Sequence, residues 1–111
     1  MKTLSTDDLR LMIDNNQDFL LVNVLPAKDF RQQHLPDSIN VPLGESDFVE
    51  QVQSAAESKA ARVVVYCASE DCDASHKAAQ QLEAAGFTQV EVYPGGVKAW
   101  EESGLALKAG A

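Results

Sequence analysis

The segment Arg62-Val63-Val64-Val65-Tyr66-Cys67 constrains this chain more than any other. It is rich in β-branched residues and shows no alternation of polar and apolar positions, so it reads as a strand covered on both faces, at the centre of a parallel sheet. The flanking sequence supplies the helices and strands that such a sheet requires. Ser5-Thr6-Asp7-Asp8 precedes Leu9, Leu11, Met12 and Ile13. Hydroxyl caps and first-turn acids ahead of an apolar face mark a helix start, and the helix is expected to end near Asn15-Asn16. Phe19 to Val24 is a second continuous apolar strand, stopping at Leu25-Pro26, and a short helix follows through Lys28, Phe30 and Arg31. His34 to Ser38 is turn chemistry, and Ile39-Asn40-Val41 leaves room for only a short strand before Pro42.

Downstream of Gly44, residues Phe48, Val49, Val52, Ala55 and Ala56 have helical spacing. Ala74, Ala78, Ala79, Leu82 and Ala85 make another helix, which Gly86 should end in a left-handed cap. Val90-Glu91-Val92-Tyr93 is a further strand, and Pro94-Gly95-Gly96 leads into a last helix through Val97 and Trp100, stopped by Gly104. Strands alternating with helices predict a doubly wound α/β sheet whose ligands gather beyond the carboxyl ends of the strands.

A chain of 111 residues suits one domain, expected here over 1–111 with a frayed tail at about 105–111. The longest apolar runs, such as Val63 to Cys67, are about five residues, against the roughly 20 of a membrane-spanning helix, so no membrane crossing is expected. Nine Lys and Arg against seventeen Asp and Glu give a formal charge of −8 without a basic cluster. Such a surface repels a phosphate backbone, and nucleic acid is not an expected partner. No apolar block follows Met1-Lys2, so no secretory leader is recognisable and a cytoplasmic location is expected. In that setting Cys67 and Cys72 are expected as reduced thiols with a chemical role, or as core residues, rather than as a structural bridge.

Cys67 falls at the carboxyl end of the central strand, before a loop, Ala68 to Asp73, and a helix amino terminus. Backbone N–H groups and the positive end of a helix dipole converge there, which stabilises a thiolate or a bound anion. The alternative is a buried cysteine that only fills space.

Four stretches, Leu21 to Phe30, His34 to Pro42, Val63 to Cys67 and Gly95 to Trp100, together resemble a single rhodanese domain over nearly the whole chain, in the right order. The resemblance implies a rhodanese-like α/β fold: a mostly parallel five-stranded sheet with helices on both faces. It also implies a sulfurtransferase with Cys67 as nucleophile and a persulfide intermediate, without a separate cofactor. The binding loop maps onto Ala68, Ser69, Glu70, Asp71, Cys72 and Asp73, whose N–H groups, with Ala74 and Ser75 opening the helix, would stabilise the added charge. The expected partners are a small sulfur donor and a protein persulfide or thiol acceptor, with the chain as a monomer.

The loop departs from the family pattern. It is about two residues longer than usual if Ser75 takes the usual post-loop place, and it contains no arginine. The only arginines are Arg10, Arg31 and Arg62, so a phosphatase reading of the same fold, which needs an Arg to clamp phosphate, is poorly supported. Glu70, Asp71 and Asp73 surround the thiol with carboxylates. Each costs an approaching dianion about 1 kcal/mol at about 4 Å in water, which makes thiosulfate an expected poor donor. They also tend to raise the thiol pKa against the helix end, unless they point outward, with Asp73 as the helix cap.

Cys72 is either a resolving thiol, which attacks a persulfide or sulfenate on Cys67 and closes a disulfide, or a small residue lining the loop. Cys67, Cys72 and His76 have ligand-like spacing, but a structural zinc site needs a fourth ligand, from His34 or a distant carboxylate. The rhodanese resemblance accounts for these residues without metal, and none is expected.

His34 is expected as a hydrogen-bonded turn residue, and Gln33 and Asp37 stand where the family has glycines. Asn23 replaces the family's usual Asp and Leu25 its frequent Arg, which questions any charge pair supporting the loop. Trp100 is expected to pack over the sheet edge, and His76 and Lys77 are the nearest cations. Two rival functions follow from the same residues. One is a thiol redox protein cycling a Cys67/Cys72 disulfide; the other is a non-catalytic rhodanese-like module that docks a basic partner.

Overall fold

A computed structural model describes residues 2–110; Met1 and Ala111, the ends of the expected domain, lie outside the described residues. In chain order the elements are β1 (Lys2–Thr3), α1 (Thr6–Asp14), β2 (Leu20–Asn23), α2 (Ala27–Gln32), β3 (Ile39–Asn40), α3 (Phe48–Ala56), β4 (Arg62–Tyr66), α4 (Ala74–Ala84), β5 (Gln89–Tyr93) and α5 (Gly96–Glu102). The strands form one five-stranded sheet in the order β1-β5-β4-β2-β3, with every described pairing parallel. β4 is therefore the middle strand, as its unbroken apolar run requires. In register, Tyr66 lies beside Asn23 of β2 and Tyr93 of β5.

The side chains of β4 alternate between two cores. Val63, Val65 and Cys67 face Phe48 and Val52 of α3 and Ala78, Ala79 and Leu82 of α4. Val64 and Tyr66 face Leu9 and Met12 of α1 and Val97 and Trp100 of α5. Val63, Val64 and Val65 are fully buried, and removing each such side chain from water contributes about 1.5–3 kcal/mol. This two-sided burial explains why the run carries no polar alternation. None of the described helices is long and apolar enough to cross a membrane.

Ser5 caps α1 in a reciprocal box: its hydroxyl accepts from the Asp8 N–H at 3.0 Å, and the Asp8 carboxylate accepts from the Ser5 N–H at 3.0 Å. β1 is absent from the sequence reading. Its two residues carry no apolar pattern, and only pairing with Glu91 and Val92, continued by the Leu4 N–H to the Val92 carbonyl, makes them a strand.

The expectation of a frayed tail from about 105 is corrected for the described residues. Lys108 exchanges both backbone hydrogen bonds with His34, each 2.9 Å, and the Gly110 N–H donates to the Arg31 carbonyl at 2.8 Å. The indole N–H of Trp100 donates to the Ala106 carbonyl at 3.0 Å, while Leu105 and Leu107 pack against the α1/α5 core. The tail stays docked because its backbone groups find partners and its leucines find apolar surface.

Candidate active site

Cys67 is the first residue beyond β4, and only 1% of its surface is exposed. It shares the α3/α4 core, so its sulfur points toward the amino-terminal turn of α4. The sulfur lies 3.6 Å from the Ser75 hydroxyl, and the thiol donates to the Cys72 carbonyl at 3.4 Å. A turn closed by the Cys72 N–H on the Ser69 carbonyl at 3.1 Å folds the loop back over the thiol.

A second element fixes the start of this loop. The Val97 N–H donates to the Cys67 carbonyl at 3.1 Å, and the Lys98 N–H donates to the Ala68 carbonyl at 2.9 Å. Two otherwise orphaned donors of the first turn of α5 are thus satisfied by the two peptides that follow β4. Gly96 makes this approach possible. Its φ is +62°, and a Cβ there would lie 2.3 Å from the Cys67 carbonyl oxygen. Sequence reasoning placed Gly95-Gly96 in a turn and missed this role, because the contact joins segments almost thirty residues apart; the paired glycines were the only local signal.

Burial is the main influence on the Cys67 thiol and pushes its pKa up, and a hydrogen bond with the Cys72 side chain pushes it further in that direction. The hydroxyl and the backbone N–H of Ser75 act oppositely and favour the thiolate. The net direction is upward, so the helix end does not outweigh desolvation in the resting loop.

Glu70, Asp71 and Asp73 are exposed, and none is among the groups that shift the thiol. Asp73 occupies the N-cap position of α4 but makes no side-chain cap, a correction to its expected role. Its backbone, at φ −95° and ψ 2°, is not in the extended conformation that aims a capping oxygen into the helix, and its carboxylate instead pairs with Lys77 at 3.3 Å. That pairing occupies Lys77, and His76 is partly buried on the first turn of α4, while Lys98 of α5 is a further lysine beside the loop at Ala68.

Other residues singled out from sequence have structural partners. His34 donates from Nδ1 to the Phe30 carbonyl at 2.8 Å and stacks on the Phe30 ring at 3.8 Å. Asn23 is fully buried, and its side-chain oxygen accepts from the Leu25 N–H at 2.9 Å. The Asn40 amide donates to the carbonyls of Asn23 and Leu25, so amides rather than a charge pair hold the turn after β2. Trp100 is buried edge-on against Tyr93, with ring centroids 6.4 Å apart.

A cleft of about 410 Å³ opens beside the loop, with Leu25, Ala68 and Val97 as apolar walls and Asp29, Lys98 and Glu101 as charged ones. It gives a small molecule or a side chain of a partner a place next to the first loop residue. Among the described residues no group of three His, Cys, Asp or Glu side chains is arranged to hold a metal.

The family model of the Rhodanese-like domain matches residues 5–103. A curated relative, "Thiosulfate sulfurtransferase 16, chloroplastic" from Arabidopsis thaliana, is 37% identical over 97 residues, covering 79% of this chain and 78% of the relative. Among solved structures, a thiosulfate sulfurtransferase from Pseudomonas aeruginosa superposes with a TM-score of 0.88 at 23% identity, covering 100% of this chain and 21% of that one. A rhodanese with anions from E. coli gives a TM-score of 0.67 at 28% identity, covering 82% of this chain and 98% of that one.

Proposed function

The chain belongs to the rhodanese-like domain family, and from that premise we propose that it is a sulfurtransferase carrying sulfane sulfur as a persulfide on Cys67. The observation that carries this reading is the seat of Cys67: at the end of the central strand, against the hydroxyl and N–H of Ser75 and under the folded loop. A persulfide or polysulfide donor presents its outer sulfur to Sγ. The new Sγ–S bond forms as the donor's S–S bond breaks, and the departing thiolate takes the proton of the buried thiol. Negative charge remains on the outer sulfur of Cys67–S–S⁻, next to the helix amino terminus, until cyanide or a thiol acceptor removes that sulfur.

Thiosulfate is the weaker donor in this proposal. Glu70 and Asp71 stand exposed at a loop without arginine, Lys77 is taken up by Asp73, and Lys98 shares the neighbouring cleft with Asp29 and Glu101, so the balance of charge opposes a dianion. The test is thiocyanate formation from cyanide with each donor in turn, combined with the mass of the Cys67 peptide. Cys67→Ser should abolish turnover, and kcat/KM should be roughly tenfold or more higher with polysulfide, the equivalent of about 1.4 kcal/mol. Turnover that survives Cys67→Ser, or none with any donor, would overturn the carrier role, and a preference for thiosulfate would overturn the donor assignment.

A further inference from the structure

The loop holds a second free thiol that simple sulfur transfer does not use. Cys72 is half-buried, packs against the same core as Cys67, and is brought back over it by the turn from Ser69. Its carbonyl touches Cys67 Sγ at 3.4 Å, the same sulfur that bears the persulfide. We propose that Cys72 resolves the Cys67 persulfide, so that the loop reduces bound sulfane sulfur to hydrosulfide while closing a Cys67–Cys72 disulfide.

The inference rests on the persulfide reading above and adds a reaction to it. Cys72 attacks Sγ, the inner sulfur. The Sγ–Sδ bond breaks, its electron pair leaves on the outer sulfur, and the Cys72 proton leaves with it, so that Cys67–S–S⁻ and Cys72–SH become Cys67–S–S–Cys72 and HS⁻. The sulfane sulfur is reduced, the cysteine pair is oxidised, and no external oxidant is consumed. A second turnover needs a dithiol reductant, which reopens the disulfide and becomes a disulfide itself.

Two considerations direct the attack to the inner sulfur. The Cys72 side chain, as well as its carbonyl, interacts with the Cys67 thiol at Sγ, whereas the outer sulfur has to project away from that contact. Attack on the outer sulfur would also expel the Cys67 thiolate, whose pKa burial raises, and a thiol of higher pKa is the slower leaving group.

The experiment is a single turnover. The reduced protein is exposed to a polysulfide donor, desalted, and followed by intact mass, peptide mapping and sulfide release, before any dithiol is added. The native chain should pass to a species lighter than the reduced protein by two hydrogens, with Cys67 and Cys72 joined and one sulfide released per chain. Cys72→Ser and Cys72→Ala should instead hold the extra sulfur on Cys67, with sulfide release slowed at least about tenfold.

A stable persulfide on Cys67 of the native chain, without disulfide or sulfide, would overturn the resolving role and leave the carrier role standing. Sulfur found on Cys72 would overturn attack on the inner sulfur. Failure of both Cys72 variants and the native chain to take up any sulfur would remove the persulfide reading itself, and this inference with it.

Discussion

Gly96 lies directly against the main chain of Cys67, so close that a Cβ on Gly96 would meet the Cys67 carbonyl oxygen at 2.3 Å and the Ala68 carbonyl carbon at 2.8 Å. The amino terminus of α5 thereby sets the path of the chain as it leaves β4. Since those neighbours are backbone atoms of the central strand and its loop, they cannot yield without moving the thiol.

Gly96→Ala is the direct test of that contact. The left-handed φ costs an alanine about 1 kcal/mol, and overlap with a packed backbone adds about 1–3 kcal/mol. Urea unfolding should show a loss of at least about 2 kcal/mol. Sulfur uptake at Cys67 should fall even under conditions where the variant is folded.

The Cys67 thiol should be slow toward iodoacetamide at neutral pH compared with an unperturbed cysteine, because burial first and the Cys72 hydrogen bond second raise its pKa. Its rate should climb through alkaline pH, and Ser75→Ala, which removes a group that favours the thiolate, should move the profile further upward. The linked effect on stability has a defined sign. A pKa raised by folding means that the native state holds its proton more tightly. The contribution is present below the ordinary thiol value and is lost as pH rises through the folded one. Fast alkylation of Cys67 at neutral pH would contradict this.

Arg62 and Glu91 form an ion pair at the opposite end of the sheet from the thiol, where Arg62 also reaches Glu91 through its second nitrogen at 3.2 Å and Gln17 at 2.8 Å. Glu91 is nearly buried, whereas Arg62 is partly open to water. Arg62→Ala, which leaves the carboxylate without its cation, should destabilise by about 2–3 kcal/mol, less than a fully enclosed pair would lose. Sulfur uptake at Cys67 in the folded variant should be unchanged, a split readable from unfolding curves and single-turnover mass.

The docked tail predicts slow amide exchange at His34, Lys108 and Gly110, whose N–H groups donate at 2.9, 2.9 and 2.8 Å. Removing residues 105–111 should cost about 2 kcal/mol, since Leu105 and Leu107 lose apolar contact and the Trp100 indole loses its acceptor. Exchange at these amides as fast as in an unstructured peptide would contradict the docking.

Glu57 ends α3 in the left-handed region at φ 69° with an exposed side chain. Glu57→Gly should stabilise the protein by ~0.5–1 kcal/mol, the relief of left-handed strain outweighing the added freedom of the unfolded chain. Thermal unfolding should register a rise of a few degrees.

Local patterns carried most of the architecture. Ser5 with Asp8 marked the start of α1, the β-branched run identified β4, and Gly86, at φ +102°, ended the turn after α4. These signals are legible because capping, period and left-handed turns depend on residues a few positions apart. β1 and the tail were not legible in this way: a two-residue strand and a bridge between His34 and Lys108 have no pattern of their own and exist only through distant backbone partners.

The candidate site divides along the same line. By itself the sequence determined that a cysteine stands at the end of the central strand, followed by a loop with three carboxylates, no arginine and a second cysteine five positions on. Only the tertiary structure decided the state of that cysteine. Burial under α4 and the folded loop sets the direction of its pKa, Ser75 opposes it, Lys77 draws Asp73 away from the cap, and Gly96 fixes the backbone from α5. The physical reason is that strand and helix signals are short-ranged, whereas desolvation and backbone contact sum over whatever the fold brings together.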